Sequence, residues 1–223
     1  MRRIKHWTPR YVLNRIRQEI YYLRSGMSPW FTAEAVALLT QLVRSDDIAL
    51  EWGSGRSTIW LGQRVHQLTS VESNREWFER VSTWVKEKKL NNIKLVMAQL
   101  SSLAPSEVQD LDKFEPEYLS PAQRFHPESL DLVIVDGDCR AHSTLLSIPL
   151  LRPGGLLIID NVNWFLPSDS ISPTSRGVAE GPASSLWSSV ANVLEPWRRI
   201  WTSNGVTDTA IFIKPFRRDL SEP

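Results

Sequence analysis

The sequence is poor in cysteine and in long apolar runs. Its 223 residues include one cysteine, Cys139, which excludes an internal disulfide framework and a zinc site made of cysteine ligands. Such low cysteine use is typical of a reducing, cytoplasmic setting. No uninterrupted apolar run approaches the roughly 20 residues that span a bilayer, so we expect no transmembrane segment. No apolar stretch of about 7–15 residues follows the basic N-terminus, so we also expect no secretory signal.

The composition is otherwise that of an ordinary globular protein. Hydrophobic residues make up 42% of the chain and charged residues 23%, which is typical of a folded domain. A chain of this length can form one α/β domain whose core needs no disulfide or metal to hold it. The ten tryptophans are spread along the chain, which indicates core and interface packing rather than one stacking platform.

Positive charge is concentrated near the N-terminus. Residues 1–24 hold one acid, Glu19, and seven basic side chains: Arg2, Arg3, Lys5, Arg10, Arg15, Arg17 and Arg24. This segment therefore carries +6, and the other residues carry −5, because the whole chain carries +1. Between the basic residues, apolar side chains recur at helical spacing, which predicts an amphipathic helix: they are Val12, Ile16, Ile20 and Leu23.

We expect this helix to pack on the domain or on a second subunit, so that a homo-oligomer is possible. An anionic partner, either nucleic acid or a membrane surface, is the alternative interpretation. We expect no nucleic-acid binding by the domain itself, because it is net acidic. The predicted boundaries are 1–30 for the basic helical extension, 31–215 for the domain and 216–223 for a tail.

Five predicted strands alternate with helices, and two further strands close the chain. The predicted strands lie at about 48–51, 67–72, 93–97, 130–136, 156–160, 199–202 and 209–213. Residues 152–155 are predicted to form a turn before the fifth strand, and Asn204-Gly205 is typical of a tight hairpin connection. The pattern predicts an α/β fold. We expect a doubly wound, seven-stranded, mostly parallel sheet with a C-terminal antiparallel hairpin, helices on both faces and an N-terminal helical extension.

Carboxylates stand at the ends of four of these strands: Glu51, Glu72, Asp136 and Asp160. In a doubly wound sheet, ligands bind beyond the carboxyl ends of the strands. Because buried charges need partners, four acids at one edge indicate a shared ligand site better than they indicate core packing. After the first strand, Gly53 and Gly55 allow a sharp turn and the close approach of a ligand to the backbone.

Two segments have no strong periodicity. Residues 100–128 contain four prolines and several acids, and a loop of this length is either functional, for example a lid, or a plain surface insertion. Proline and serine also crowd residues 167–184, which we interpret as a second irregular region.

Four motifs in order resemble those of class I S-adenosylmethionine-dependent methyltransferases, and the similarity covers residues 34–214. The motifs are LEWGSGRST at 50–58, Ser70-Val71-Glu72, Asp136-Gly137 and LRPGG at 151–155. This resemblance implies S-adenosylmethionine as cofactor. It places the backbone of Gly53 and Gly55 at the amino-acid half of the cofactor, Glu51 near its ammonium group, and Glu72 at the ribose hydroxyls.

The predicted cofactor site has further members: Ser54, Ser57, Gln99 and Asp136. Gln99 is predicted to contact the adenine, although the family commonly has an acid at that place. Asp136, Asp160 and Asn161 are similar to the metal triad of catechol O-methyltransferase-like enzymes, which implies Mg²⁺ held by oxygen ligands. The alternative is that Asp136 contacts only the cofactor and that Asp160-Asn161 cap the turn after their strand.

The acceptor side offers less certain candidates. His142 is a possible general base or a solvated surface histidine, so the predicted catalytic set is Asp136, His142, Asp160 and Asn161. Arg140 either holds an anionic substrate group or pairs with Asp138. Trp164 and Phe165 either pack on the acceptor or anchor their loop.

The sequence therefore predicts transfer of a methyl group from S-adenosylmethionine to a small-molecule acceptor, with oxygen as the favoured atom. A nucleotide-dependent oxidoreductase is one alternative, but Thr58 occupies the position of the third glycine in its motif. A catalytically silent cofactor-binding or scaffold protein that acts through its basic N-terminus is another.

Overall fold

The computed structural model describes residues 8–100 and 114–216. Seven α-helices lie in this part of the chain: α1 (Pro9–Arg24), α2 (Ala33–Leu42), α3 (Arg56–Gly62), α4 (Arg75–Glu87), α5 (Pro116–Leu119), α6 (Arg140–Ser147) and α7 (Ser185–Leu194). It also contains seven strands: β1 (Ile48–Trp52), β2 (Gln67–Glu72), β3 (Ile93–Met97), β4 (Leu130–Val135), β5 (Leu151–Asp160), β6 (Arg198–Ser203) and β7 (Asp208–Ile213). Helix α1 forms most of the predicted basic segment. Three parts of the chain lie outside the described residues: residues 1–7, residues 101–113 of the proline-rich segment 100–128, and the predicted tail after Phe216.

The seven strands form one sheet in the order β3-β2-β1-β4-β5-β7-β6. The first five strands in this order are parallel, whereas β7 runs antiparallel to both β5 and β6. This arrangement confirms the predicted α/β fold with its C-terminal antiparallel hairpin. The order reverses at β1 and β4, and in open α/β sheets a ligand crevice lies at such a point.

A buried apolar cluster lies on each face of the sheet, so the central strands need apolar residues on both sides. In β4, Leu132 and Ile134 belong to one buried cluster, and Val133 and Val135 belong to the cluster on the opposite face. Neighbouring residues of a strand point to opposite faces, so a continuous apolar run is what a doubly covered parallel strand requires. The rigid sheet therefore fixes where the carboxyl ends of its strands lie.

Polar residues define where several helices begin. Thr32 caps α2, Asn74 caps α4 and Ser184 caps α7, each by accepting a hydrogen bond from the backbone N–H three residues ahead. Such side chains satisfy N–H groups that have no partner inside the helix.

The predicted turn at residues 152–155 is wrong, because β5 already begins at Leu151. The Gly154 N–H donates to the carbonyl of Lys214 at 2.8 Å, and the Lys214 N–H donates to the carbonyl of Gly155 at 2.9 Å. These bonds extend the pairing with the segment after β7. Gly154 has a φ of +79°, and the register against β4 shifts here, so the proline-glycine segment forms an irregular part of a strand.

The amphipathic helix α1 contacts the domain through its polar and aromatic side. Gln18 is buried and donates to the hydroxyl of Tyr22, which in turn donates to the carbonyl of Trp30. Arg56 donates to the carbonyl of Tyr22 at 3.1 Å. Ile16, Ile20 and Leu23 are exposed instead, so α1 packs on the domain through the side opposite these apolar residues. Packing on a second subunit stays a prediction.

Part of the proline-rich segment is anchored to the core. Tyr118 of α5 is fully buried, its ring lies 5.5 Å from that of Trp52, and its hydroxyl accepts a hydrogen bond from the Asp138 N–H. Residues 101–113 lie outside the described residues, so the lid stays a prediction. No helix of the described chain is long and apolar enough to cross a membrane.

Candidate active site

The backbone of the turn after β1 packs directly against the backbone of the segment after β4. Gly53 has a φ of +90°, and a Cβ atom built there would lie 2.5 Å from the Cα of Gly137. Gly55 differs, because its φ of 179° is ordinary extended backbone and a Cβ there would meet Ser57 at a normal 3.8 Å. The fold thus requires glycine at 53, whereas only an incoming ligand would require it at 55.

Glu51 is completely buried beneath this turn. The hydroxyls of Thr58 and Ser70 both donate to its Oε2 atom at 2.6 Å, and the Thr58 hydroxyl also accepts from the Gly55 N–H. Burial raises the pKa of Glu51 to about 7, although Ser57, Ser70 and Thr58 act in the opposite direction. Glu51 therefore fixes the shape of the turn; its predicted contact with a ligand ammonium stays a prediction.

Glu72 is held against the same turn. Its Oε2 atom accepts from the N–H and hydroxyl of Ser54, both at 3.0 Å, while Oε1 accepts from the N–H groups of Ser73 and Asn74. These four donors fill the acceptor positions of the carboxylate. Burial nevertheless raises the pKa of Glu72, against the effect of these bonds. Because the Ser54 hydroxyl can rotate away, a ligand hydroxyl could take its place.

The remaining predicted cofactor residues lie apart from one another. Ser57 is buried beside Glu51. Gln99 is exposed and lines an open cavity of about 600 Å³ between the end of β3 and residues 116–124. Its predicted contact with adenine stays a prediction.

Arg140 is the most heavily bonded side chain at the carboxyl edge. Its guanidinium donates to Oδ1 of Asp136 at 2.9 Å and to Oδ1 of Asn161 at 3.1 Å. It also donates to three backbone carbonyls, those of Asp136, Gly137 and Asp160. The left-handed conformation of Cys139 starts α6 at Arg140, and the first turn of the helix thereby carries Arg140 to this edge.

This geometry corrects the predicted pairing of Arg140 with Asp138. The Asp138 carboxylate instead accepts from the hydroxyl of Ser73. On the other side of Arg140, Asn161 has a left-handed φ of 51°, and its Nδ2 atom donates to the hydroxyl of Thr207 at 2.7 Å.

Asp160 is buried and Asp136 is half-buried, and in this pair of acids the negative charge of each acts on the other. The pKa of Asp160 is raised to about 8, mainly by burial and then by the negative charge of Asp136, although the hydroxyl of Thr209 donates to its Oδ1 atom at 2.6 Å. Burial also raises the pKa of Asp136, and the charge of Arg140 opposes that shift. Asp136 therefore holds its negative charge more readily, and Asp160 is the member that takes up a proton near neutral pH.

The predicted Mg²⁺ triad does not fit this arrangement. Asp136 and Asn161 already give their Oδ1 atoms to Arg140, and an arginine stays charged at any pH a protein tolerates. A divalent ion at the same oxygens would lie against that positive charge. Within residues 8–100 and 114–216, no group of three or more histidine, cysteine, aspartate or glutamate side chains is placed to hold a metal.

A cavity of about 540 Å³ opens beside these residues. The sheet edge contributes Asp136, Asp160, Asn161 and Thr207 to its wall, Trp30 and Trp164 contribute aromatic rings, and α1 contributes four side chains: Tyr11, Arg15, Gln18 and Tyr22. Burial and the charges of Asp160 and Asp136 raise the pKa of Tyr22, so its hydroxyl remains protonated.

Some predicted acceptor residues lie elsewhere. His142 packs its ring against Phe114, with 5.1 Å between ring centroids, and it is not among the residues that line the cavity. Its role as general base stays a prediction. Phe165 stacks on Trp187 at 4.5 Å and so anchors its loop, whereas Trp164 lines the cavity.

The contribution of α1 was missed from the sequence. Tyr11, Arg15, Gln18 and Tyr22 follow one another at intervals of four, three and four residues, which is the spacing of one helix face. That signal was present, but the apolar residues on the opposite face suggested the wrong packing side.

Comparison with known proteins gives one family and several similar folds. The profile of a family described as "Methyltransferase domain" matches residues 50–162, just over half of the chain. No match is found among curated protein sequences.

Three solved structures illustrate the similarity of fold. A methyltransferase-like protein from Silicibacter pomeroyi is 18% identical, with a TM-score of 0.55 over 87% of this chain and 93% of its own. A putative caffeoyl-CoA O-methyltransferase from Staphylococcus aureus is 14% identical, with a TM-score of 0.55 over 94% of both chains. A putative O-methyltransferase from Klebsiella pneumoniae is 15% identical, with a TM-score of 0.52 over 94% of this chain and 91% of its own. At these identities the likeness shows the fold alone.

Proposed function

We propose that this chain, which belongs to the methyltransferase domain family, transfers the methyl group of S-adenosylmethionine to an oxygen atom of a small-molecule acceptor. The observation that supports this most directly is the position of Asp160, a carboxylate with a pKa of about 8 in the wall of a cavity at the carboxyl edge of the sheet. Two similar folds carry the printed description of O-methyltransferase, which agrees with oxygen as the acceptor atom.

The cofactor half of the site is proposed to lie at the turn after β1. Gly53 gives that turn a backbone with no side chain in the way, and Gly55 is open to a ligand. Glu72 is fixed beside the turn by Ser54, Ser73 and Asn74, and rotation of the Ser54 hydroxyl would free one of its acceptor positions for a ribose hydroxyl. A carboxylate at the end of the second strand has the same part in dinucleotide-binding folds.

The acceptor half is proposed to be the cavity of about 540 Å³. Bound S-adenosylmethionine supplies an electrophilic methyl group on a sulfonium sulfur. The ionised Asp160 carboxylate would take the proton of the acceptor hydroxyl, and the acceptor oxygen would bond the methyl carbon. The carbon–sulfur bond would break at the same time, with its electron pair left on the sulfur of S-adenosylhomocysteine. A general base is most effective when its pKa lies near the working pH, and burial brings Asp160 into that range.

Arg140 is proposed to be a positioning residue for this base. It fixes Asp136 and Asn161 on either side of Asp160 and supplies a permanent positive charge to the coupled acids. We propose that this fixed charge, rather than Mg²⁺, is the cation of the site.

The cavity wall favours an aromatic hydroxyl compound as the acceptor. Tyr22, Trp30 and Trp164 line the cavity, so a planar acceptor is complementary to its aromatic wall. We further propose that the protein acts in the cytoplasm, where S-adenosylmethionine and thiols in reduced form are both present.

Calorimetry and a product assay test this proposal together. S-adenosylmethionine, S-adenosylhomocysteine and NAD would each be titrated into the protein with and without Mg²⁺. The protein would then be incubated with methyl-labelled S-adenosylmethionine and a panel of phenols, catechols, carboxylates and amines. We expect both sulfur compounds to bind, Mg²⁺ to have no effect, and the label to appear on a phenolic oxygen.

Other results would redirect the proposal. Label on an amine nitrogen would contradict the oxygen acceptor, and binding of NAD alone would favour the oxidoreductase. Tight cofactor binding with no transfer to any compound of the panel would favour a catalytically silent protein.

A further inference from the structure

The side of α1 that faces away from the domain carries an apolar stripe. We call it the outward face of α1; its members are Leu13, Ile16, Ile20 and Leu23, exposed by 48%, 51%, 43% and 83%. Their spacing of three or four residues places them on one side of the helix. Tyr11, Gln18 and Tyr22 lie on the opposite side and line the cavity. The helix is therefore attached to the domain by its polar side and leaves its apolar side to the surroundings.

A row of positive charge runs along this face. Arg10, Arg17 and Arg24 follow one another at seven-residue intervals, which places them in one row of the helix, and all three are exposed. Each of the first two precedes an outward apolar residue by three positions, so the row borders the stripe. Arg10 and Arg17 also line a cavity of about 640 Å³ that Glu34 and Asp169 of the domain share. The charge of the described residues is polarised in the same direction, because residues 8–24 carry +3 and residues 25–100 and 114–216 together carry −3.

The outward face of α1 is poorly suited to dimer formation with a second copy of the chain. The helix has 16 residues, so it is about 24 Å long and roughly 10 Å wide. Pairing two such faces would cover about 240 Å² on each chain, well below the roughly 800 Å² per partner of a stable interface. It would also bring two rows of arginine side chains together, and like charges at an interface oppose binding.

An anionic lipid surface is complementary both to the apolar stripe and to the row of arginines. Short apolar side chains can enter the boundary between headgroups and acyl chains, while arginines beside them remain at the level of the phosphates. Each basic residue near such a surface adds to the attraction, and the net negative charge of the remaining domain turns α1 toward the membrane. We propose that the outward face of α1 docks the protein on the surface of a membrane that contains anionic phospholipids.

This docking is independent of the proposed reaction, but it has a geometric consequence for it. The same helix forms one wall of the cavity of about 540 Å³ through its opposite side, so docking would place the helix, about 10 Å across, between that cavity and the membrane surface.

Vesicle flotation of the full chain tests the proposal. Vesicles of phosphatidylcholine alone would be compared with vesicles of phosphatidylcholine and phosphatidylglycerol. We expect the protein to float only with the anionic vesicles and to be released as the salt concentration rises, because salt screens charge attraction. The double variant Ile16→Gln/Leu23→Gln is expected to lower the vesicle-bound fraction roughly tenfold or more, since both side chains lose their apolar burial. Arg17→Gln/Arg24→Gln is expected to remove the preference for anionic lipid.

Matched control variants distinguish binding through the outward face of α1 from non-specific binding of the protein to vesicles. Val178 is 73% exposed, so Val178→Gln removes an exposed apolar side chain elsewhere and is expected to leave binding unchanged. Lys86 and Lys88 are exposed on and just after α4, and Lys86→Gln/Lys88→Gln removes two positive charges with the same expectation. Circular dichroism and cofactor titration would show that every variant is folded.

Three results would overturn the proposal. They are no flotation with any vesicle, equal flotation with neutral and anionic vesicles, and a loss of binding by Val178→Gln as large as that of the α1 variant. Light scattering measures the mass in solution and tests whether a second copy of the chain covers this face instead. If the wild type binds no vesicles and is a dimer that Ile16→Gln/Leu23→Gln converts to a monomer, the face is an interface between two copies. Because flotation needs no methyl acceptor, its outcome is separate from that of the methyl-transfer assay.

Discussion

The guanidinium of Arg140 lies 2.9 Å from Oδ1 of Asp136 and joins that carboxylate to the side chain of Asn161. One residue of the chain therefore bridges the two oxygen atoms that a magnesium ion was expected to bridge. Both partners are largely shielded, with 15% of the Arg140 side chain and 29% of the Asp136 side chain exposed. An ion pair of this kind is weakly screened by solvent, and removal of one partner leaves a poorly solvated charge.

Arg140→Ala is expected to lower kcat roughly 10- to 100-fold and to move the pH–rate profile to higher pH, because Asp136 and Asp160 lose the cation that opposes their protonation. Arg140→Lys is expected to restore only part of the activity, since a lysine cannot make the same five bonds. The control is Arg75→Ala, which removes an arginine whose side chain is 77% exposed. Stimulation of the wild-type enzyme by Mg²⁺, or its inhibition by a chelator, would contradict this interpretation.

Asp160→Asn is expected to lower kcat by about 10²–10⁴, the usual contribution of a general base. The affinity for S-adenosylmethionine is expected to stay within about twofold, because the cofactor turn lies on other strands. In the wild type, the rate should rise as the pH increases through about 8, the pKa of Asp160, and this rise should be absent in the variant. Asp169→Asn is the control. A variant that retains the wild-type rate and pH profile would remove Asp160 from the mechanism.

The raised pKa of Asp160 also predicts how stability depends on pH. Its ordinary value is 3.8 and its folded value is about 8. Between these values the unfolded carboxyl is ionised while the folded one keeps its proton, so the free energy of unfolding falls as the pH rises and levels off above about 8. Asp160→Asn should therefore gain stability relative to the wild type between pH 4 and 8, by on the order of a few kcal/mol. Urea unfolding across this range measures the difference, and parallel curves would contradict it.

Gly53→Ala and Gly55→Ala form a matched pair. At residue 53 the new Cβ would lie 2.5 Å from Gly137 and φ is +90°, so we expect a loss of roughly 2–4 kcal/mol of stability. At residue 55 the contacts are ordinary, so stability should change by less than about 1 kcal/mol. Thermal unfolding measures both. If Gly55→Ala stays folded but binds S-adenosylmethionine at least about tenfold more weakly, the cofactor lies against that residue; unchanged binding would place it elsewhere.

Tyr22→Ala is expected to raise the KM for the acceptor about tenfold, because the ring and hydroxyl of Tyr22 form part of the cavity wall. Tyr21→Ala alters the adjacent residue, which faces a different cavity, and should leave the KM unchanged. Cofactor affinity should be the same for both variants. Equal effects of the two substitutions on KM would mean that α1 does not contribute to acceptor binding.

Strand positions followed closely from the sequence. β2 and β3 lie where they were predicted, at Gln67–Glu72 and Ile93–Met97, because short apolar runs bounded by polar turns have few other ways to be buried. The fifth strand was predicted too short, since a proline and two glycines normally end a strand. Here the backbone groups of Gly154 and Gly155 pair with Lys214, a partner about sixty residues away that local sequence cannot reveal.

The side chains of the site were harder to predict than the strands that carry them. Glu51, Glu72, Asp136 and Asp160 were identified because strand ends in a parallel sheet share one edge. The partner of Asp136 was not identified, since the contact depends on the left-handed residue Cys139, which starts α6 at Arg140. The direction in which α1 faces also escaped prediction, because apolar residues usually mark the buried side of a helix.

By itself, the sequence determined the order of strands and helices, the glycine turn and the acids at the strand ends, since these depend on local composition and periodicity. Only the tertiary structure decided that Arg140 takes the place expected for a metal, that α1 forms a wall of the acceptor cavity, and that its apolar stripe faces outward. These three features arise from distances between residues far apart in the chain. Such distances depend on how whole helices and strands pack together. The residue pattern within one element determines which of its sides is apolar, but it does not determine which other element packs against that side.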